Sequence, residues 1–116
     1  MSSHRRTLTI SEDLVRAYSR RGNYHSDAEE ALRLGLPGLI AQGTQVTGPA
    51  YGLLLNAWGE DFLAHGEIDV RFVGVVTAGQ TVDAAVTIDG AEAAIEVTNT
   101  DTGSLSVTGT AHLRPV

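Results

Sequence analysis

From Ala50 to Trp58 the chain reads Ala-Tyr-Gly-Leu-Leu-Leu-Asn-Ala-Trp, which leaves a helix almost no polar face. A helix of that kind is expected to be buried nearly all round. After Gly59 the periodicity changes to two. Ile68, Val70 and Phe72 alternate with Asp69 and Arg71, and Val82, Ala84, Val86 and Ile88 alternate with Thr81, Asp83 and Thr87. Alternation of this sort marks strands with one face on a core and one in water. A helix that needs cover, followed by strands that offer it, predicts an α+β domain with an antiparallel sheet wrapped around one long central helix. Pro49 leaves two readings of where that helix begins. Either it starts there with Thr47 near its cap, or it starts at Gln42 and is kinked.

The remaining elements follow from local signals. Arg5-Arg6-Thr7-Leu8-Thr9-Ile10 alternates and reads as a short edge strand. Ser11-Glu12-Asp13 caps a helix bearing Leu14, Val15 and Tyr18, and Ser26 with Glu29 forms a capping box for a second helix from Asp27 to Leu34. Asp89-Gly90 is a strong hairpin signal. Strands are expected at about 91–98 and 104–113, around the turn Thr100-Asp101-Thr102-Gly103. At 116 residues and 42% apolar composition, the chain suits a single domain spanning 1–116.

Composition closes off several classes of function. The net charge of −6 argues against nucleic acid, which needs clustered cations. All eight basic side chains are Arg, so no lysine Schiff base is available, and the absence of Cys removes thiolate chemistry and disulfides. The four His have no ligand spacing, so neither a metal nor another cofactor is expected. No apolar run is long enough to cross a membrane, and no signal-peptide core follows the basic start. The expected setting is the cytoplasm.

Two stretches carry a family likeness. The first is His25-Ser26-Asp27-Ala28-Glu29-Glu30-Ala31, continuing through Gly35-Leu36-Pro37 to Ile40-Ala41-Gln42-Gly43. The second is Val70-Arg71-Phe72-Val73-Gly74-Val75-Val76 with Gly79-Gln80-Thr81-Val82. The first resembles the His-x-Asp, the Ala-rich short helix and the Ile-x-His-Gly of MaoC-like dehydratases and R-specific enoyl-CoA hydratases. The second resembles the family's strand and its Gly-Asp-Thr-Val turn. The likeness spans about residues 10–113 and implies the hotdog fold.

It also implies a chemistry. Adding or removing water at an enoyl or β-hydroxyacyl compound needs a group that activates water and a donor where enolate charge develops. The resemblance assigns His25 as general base and the amide of Gly43, at the start of the long helix, as the oxyanion donor. The family pairs its His with an Asp five residues earlier. Here that position is Arg20, or Asn23 if one gap is allowed, so no carboxylate stands there. Asn23 can orient water or His25, but an amide does not accept a proton at neutral pH. Arg20 and Arg21 are candidates to clamp a phosphate of CoA or phosphopantetheine, against the alternative of a solvated loop pair. Gln42 stands where the family has the His of His-Gly. Tyr51 is a candidate to line an acyl or aromatic ligand tunnel, although core packing is the default for it and for Trp58.

The bland reading suits the other polar residues. His4 falls in a frayed terminus, His65 in a loop and His112 on the last strand. Glu60 and Asp61 solvate a helix end, and Glu92 and Glu96 a sheet face. The expected activity is that of a hydro-lyase on an acyl thioester or polyketide-type intermediate, in a homodimer or a heterodimer with a paralogue. The alternatives are a non-catalytic ligand-binding or partner subunit, and a cyclase. A hotdog thioesterase is disfavoured because Tyr51 to Trp58 carries no carboxylate.

Overall fold

The structure, a computed structural model, describes residues 1–11, 41 and 43–115. Among these the elements run β1 (Ser2–Thr9), α1 (Gly43–Trp58), α2 (Glu60–His65), β2 (Gly66–Phe72), β3 (Thr81–Asp89), β4 (Glu92–Asn99) and β5 (Ser104–Leu113). The five strands form one antiparallel sheet in the order β1-β3-β4-β5-β2. The short helices expected at 14–18 and 27–34 lie outside the described residues.

The period-two pattern sets which face is buried. Val82, Ala84, Val86 and Ile88 of β3 stand opposite Asn99, Val97, Ile95 and Ala93 of β4, and all eight are buried. Helix α1 crosses this face and contributes Val46, Ala50, Leu53 and Leu54 to the same core. Burying a side chain such as Leu54 stabilises the fold by about 1.5–3 kcal/mol. The opposite face carries Thr81, Asp83, Thr87, Glu92, Glu96, Thr108 and Thr110, as the alternation requires. Its ion pairs, Arg5 with Asp83 and Glu67 with His112 and Arg114, are solvent-exposed and stabilise little. One sheet laid against one long helix is the hotdog arrangement.

Several expectations are corrected. The helix is not buried all round: Tyr51 is 40% and Leu55 37% exposed. One sheet covers one side of a helix, and at Tyr51 the Phe62 ring of α2 adds only partial cover. Of the two readings for Pro49, the start at Pro49 fails, because α1 begins at Gly43 with Pro49 inside it; Gln42 lies outside the described residues. Pro49 has no N–H for the Gln45 carbonyl, and the Thr47 hydroxyl donates to the Gly43 carbonyl at 2.8 Å. The N-terminus is not frayed, since β1 starts at Ser2 and pairs His4 with Val86. Glu60 to His65 forms the short helix α2, anchored by buried Phe62, which packs against Trp58 and Tyr51 at ring distances of 6.0 and 5.8 Å.

The β3–β4 turn also differs in detail. Asp89 pairs with Glu92, so the loop is Gly90-Ala91 rather than Asp89-Gly90. Gly90 has φ 62 and Ala91 a negative φ, the pattern of a II′ turn. Trp58 Nε1 donates to the Gly90 carbonyl at 3.3 Å, tying the end of α1 to this hairpin.

Candidate functional site

The described part of the candidate site is built around the first turn of α1. Gly43 opens the helix, and first-turn amides have no carbonyl four residues earlier within the helix to bond. Those N–H groups and the helix dipole favour negative charge at this end. The end is fixed from outside the helix. Ala41 donates its N–H to the Val76 carbonyl at 2.8 Å, and both residues are buried.

Phe72, the last residue of β2, lies against Gly43. A Cβ built on Gly43 would stand 2.7 Å from three carbons of the Phe72 ring. Glycine is therefore what lets the ring reach the helix start. The ring is 55% exposed, and its neighbours Val73 and Val75 are 54% and 63% exposed. An apolar surface thus flanks an electropositive helix end. That combination suits a ligand with an anionic or polarised oxygen beside a hydrocarbon portion.

The site residues expected from the sequence divide into two groups. Gly43 and Tyr51 are described, whereas His25, Asn23, Arg20, Arg21 and Gln42 lie outside the described residues. Tyr51 is eight residues beyond Gly43, about 12 Å along the helix axis at 1.5 Å per residue. Its ring packs on Phe62, and the structure does not bring it beside Gly43. His65 ends α2, and His112 faces the outer side of the sheet against Glu67 at 3.1 Å. Among the described residues no group of three or more His, Asp or Glu is placed to hold a metal.

Sequence reasoning missed Phe72 as a neighbour of Gly43. The period-two pattern put it on the inner face of its strand and gave no sign of the contact, because 29 positions separate the two residues.

The comparison with protein families decides what kind of chain this is. The model of the MaoC like domain matches residues 2–110. The chain belongs to the MaoC-like domain family. No curated protein matches it. Among solved structures it is similar to an (R)-hydratase from A. caviae involved in PHA biosynthesis. That match has 18% identity and a TM-score of 0.77, over 97% of this chain and 95% of that one. It is similar to an unliganded R-hydratase of Pseudomonas aeruginosa at 21% identity and TM-score 0.77, covering 97% and 78%. A third likeness is to the ChsH1–ChsH2 complex of Mycobacterium tuberculosis, at 17% identity and TM-score 0.74, covering 97% and 96%. At such identities these likenesses show the fold, and they agree with the hotdog arrangement of this MaoC-like domain. No described helix is long and apolar enough to cross a membrane.

Proposed function

We propose that this MaoC-like chain is a hydratase/dehydratase that adds water to, or removes it from, an enoyl or β-hydroxyacyl thioester or a polyketide-type intermediate. The observation that carries this reading is Gly43 in the first turn of α1, beside the apolar Phe72, in a chain of this family. The Gly43 amide would hold the thioester oxygen as enolate charge develops. His25 would take a proton from water as the water oxygen bonds to the β-carbon, and the resulting imidazolium would return a proton to the α-carbon. Asn23 would orient the water or His25, with Gln42 near the oxygen. Arg20 and Arg21 would meet the phosphates of CoA or of a carrier protein's phosphopantetheine. An acyl chain running along α1 would reach Tyr51 only after about 12 Å.

The working unit in this reading is a single 1–116 domain paired with a second copy or a paralogue, sheet joined to sheet. Strand β2 is an edge strand, and the exposed Phe72, Val73 and Val75 at its end would gain cover from a partner. A specific observation favours a second reading. Arg20 or Asn23 stands where the family's acid belongs. On that reading the chain is a non-catalytic or ligand-binding partner of an active paralogue. The test is hydration of crotonyl-CoA by the purified chain. Turnover that His25→Ala abolishes supports the enzyme, and no turnover by wild type leaves the partner reading.

A further inference from the structure

The 76–80 segment does more than connect β2 to β3. Thr77 to Gln80 is a turn closed twice. Gln80 donates its N–H to the Thr77 carbonyl at 3.1 Å, and Thr77 donates its N–H to Gln80 Oε1 at 2.8 Å. Gly79, at φ 96, takes the third position, which a type II turn reserves for a positive φ. Gln80 Oε1 accepts a second bond, from Nδ2 of the fully buried Asn99 at 2.8 Å. Asn99 is held in turn, since its Oδ1 accepts the Asp101 N–H at 3.1 Å, and Asp101 Oδ2 accepts the Thr81 N–H at 2.7 Å.

This clamped turn meets the chain at two distant places. Ile10 donates to the Gln80 carbonyl at 2.9 Å and accepts from the Gly79 N–H at 2.6 Å. Ala41, two residues before Gly43, donates to the Val76 carbonyl at 2.8 Å. Strand β1 ends at Thr9 and α1 begins at Gly43, so one small turn braces the chain just after β1 and just before α1.

We propose that Gln80 and Asn99 are positioning residues for the candidate site. They hold the 76–80 turn so that Val76 fixes Ala41 and thereby aims the Gly43 amide. The catalytic consequence rests on the function proposed above, whereas the positioning itself does not. A buried Asn in a strand is costly unless bonded, and here its donor is spent on a side chain whose other bond shapes the turn.

The geometry makes an unusual demand on substitutions. Gln80 Oε1 is used as a double acceptor, so Gln80→Glu keeps the function and Gln80→Leu removes it. Asn99→Asp attacks the pair from the other side by turning its donor into an acceptor. Two readouts follow on the full chain at a temperature where circular dichroism shows it folded. In the first, hydrogen exchange followed by nuclear magnetic resonance, Gln80→Leu and Asn99→Asp should speed exchange at the Ala41 amide by roughly tenfold, the effect of losing one hydrogen bond. Val86 and Ile95 in the central strands should stay unchanged, and Gln80→Glu should match wild type. In the second, kcat for crotonyl-CoA should fall by a comparable factor in Gln80→Leu with KM held within about twofold, and Gln80→Glu should restore it. Unchanged Ala41 exchange in both disruptive variants overturns the proposal, as does equal acceleration at every amide. Wild type without turnover defeats the functional reading instead, and the exchange measurement then decides the positioning alone.

Discussion

The ring of Phe72 rests on the Cα of Gly43, so closely that one methyl group added to Gly43 would stand 2.7 Å from three of its carbons. The contact joins the end of β2 to the start of α1 and makes the identity of residue 43 a question of space. Ala favours a helix over Gly by up to about 1 kcal/mol. Gly43→Ala is therefore expected to change stability by no more than about 1 kcal/mol, because an exposed ring can move aside. If the Gly43 amide is the oxyanion donor, activity should fall much further, since the displaced ring lies beside it. Thermal melting beside crotonyl-CoA kinetics checks the split, and a stable variant with wild-type kcat would remove Gly43 and Phe72 from the site.

Phe72→Ala separates the two halves of that contact. It leaves the Gly43 amide in place and removes apolar surface that is already 55% exposed. The expected outcome is a raised KM for longer acyl thioesters with little change for crotonyl-CoA. Equal kinetics across chain lengths would show that the ring does not meet the acyl chain.

What the sequence made legible followed its periodicities. The alternation at Val82 to Ile88 named the buried face of β3, and the shared parity of Glu92 and Glu96 named the solvated face of β4; the structure places those residues there. The apolar stretch at Ala50 to Trp58 named the long helix but overstated its burial at Tyr51 and Leu55. Composition reports that a helix wants cover, not how much one sheet provides. The candidate site rests on resemblance alone. Gly43 could be placed that way, but its contact with Phe72 and the clamp between Gln80 and Asn99 join residues far apart in the chain. No local pattern announces such pairings. Asn99, which no sequence pattern singles out, is fully buried and bonded to Gln80.

The His25 assignment predicts a specific pair of outcomes. If His25 is the proton-transfer group, His25→Ala should cost roughly 10²–10⁴-fold in rate. Wild-type activity should decline as pH falls through the range in which imidazole takes up a proton. Asn23→Asp should raise hydration if Asn23 stands at the family's acid position. If Arg20 stands there, Arg20→Asp is the variant that raises it. Wild type inactive on enoyl thioesters, with all these variants unchanged, would favour the partner-subunit reading.

Assembly is tested by mass. A 12.2 kDa chain working as a pair should sediment at about twice that mass at micromolar concentration. Val75→Glu places a charge on the apolar end of the β2 edge, at a residue that is 63% exposed and so tolerant of polarity in the lone chain. It should dissociate the pair without unfolding it. A wild-type chain that stays monomeric would rule out a homodimer, and a site shared with a paralogue would then be sought by mixing the two.

Neighbouring leucines on α1 give the last contrast. Leu54 is fully buried against the sheet, and Leu55, about 100° further round the helix, is 37% exposed. Leu54→Ala removes methyl groups from a packed core and should cost about 2–5 kcal/mol, lowering the melting temperature by roughly 10 °C or more. Leu55→Ala should lie within about 0.5 kcal/mol of wild type in the isolated chain, as surface substitutions do. Thermal melts across a range of protein concentrations separate the two contributions. A Leu55→Ala penalty that grows with concentration would mean that a partner covers this side of the helix. A penalty as large as that of Leu54→Ala at every concentration would contradict the exposed placement of Leu55, and with it the one-sided packing of α1.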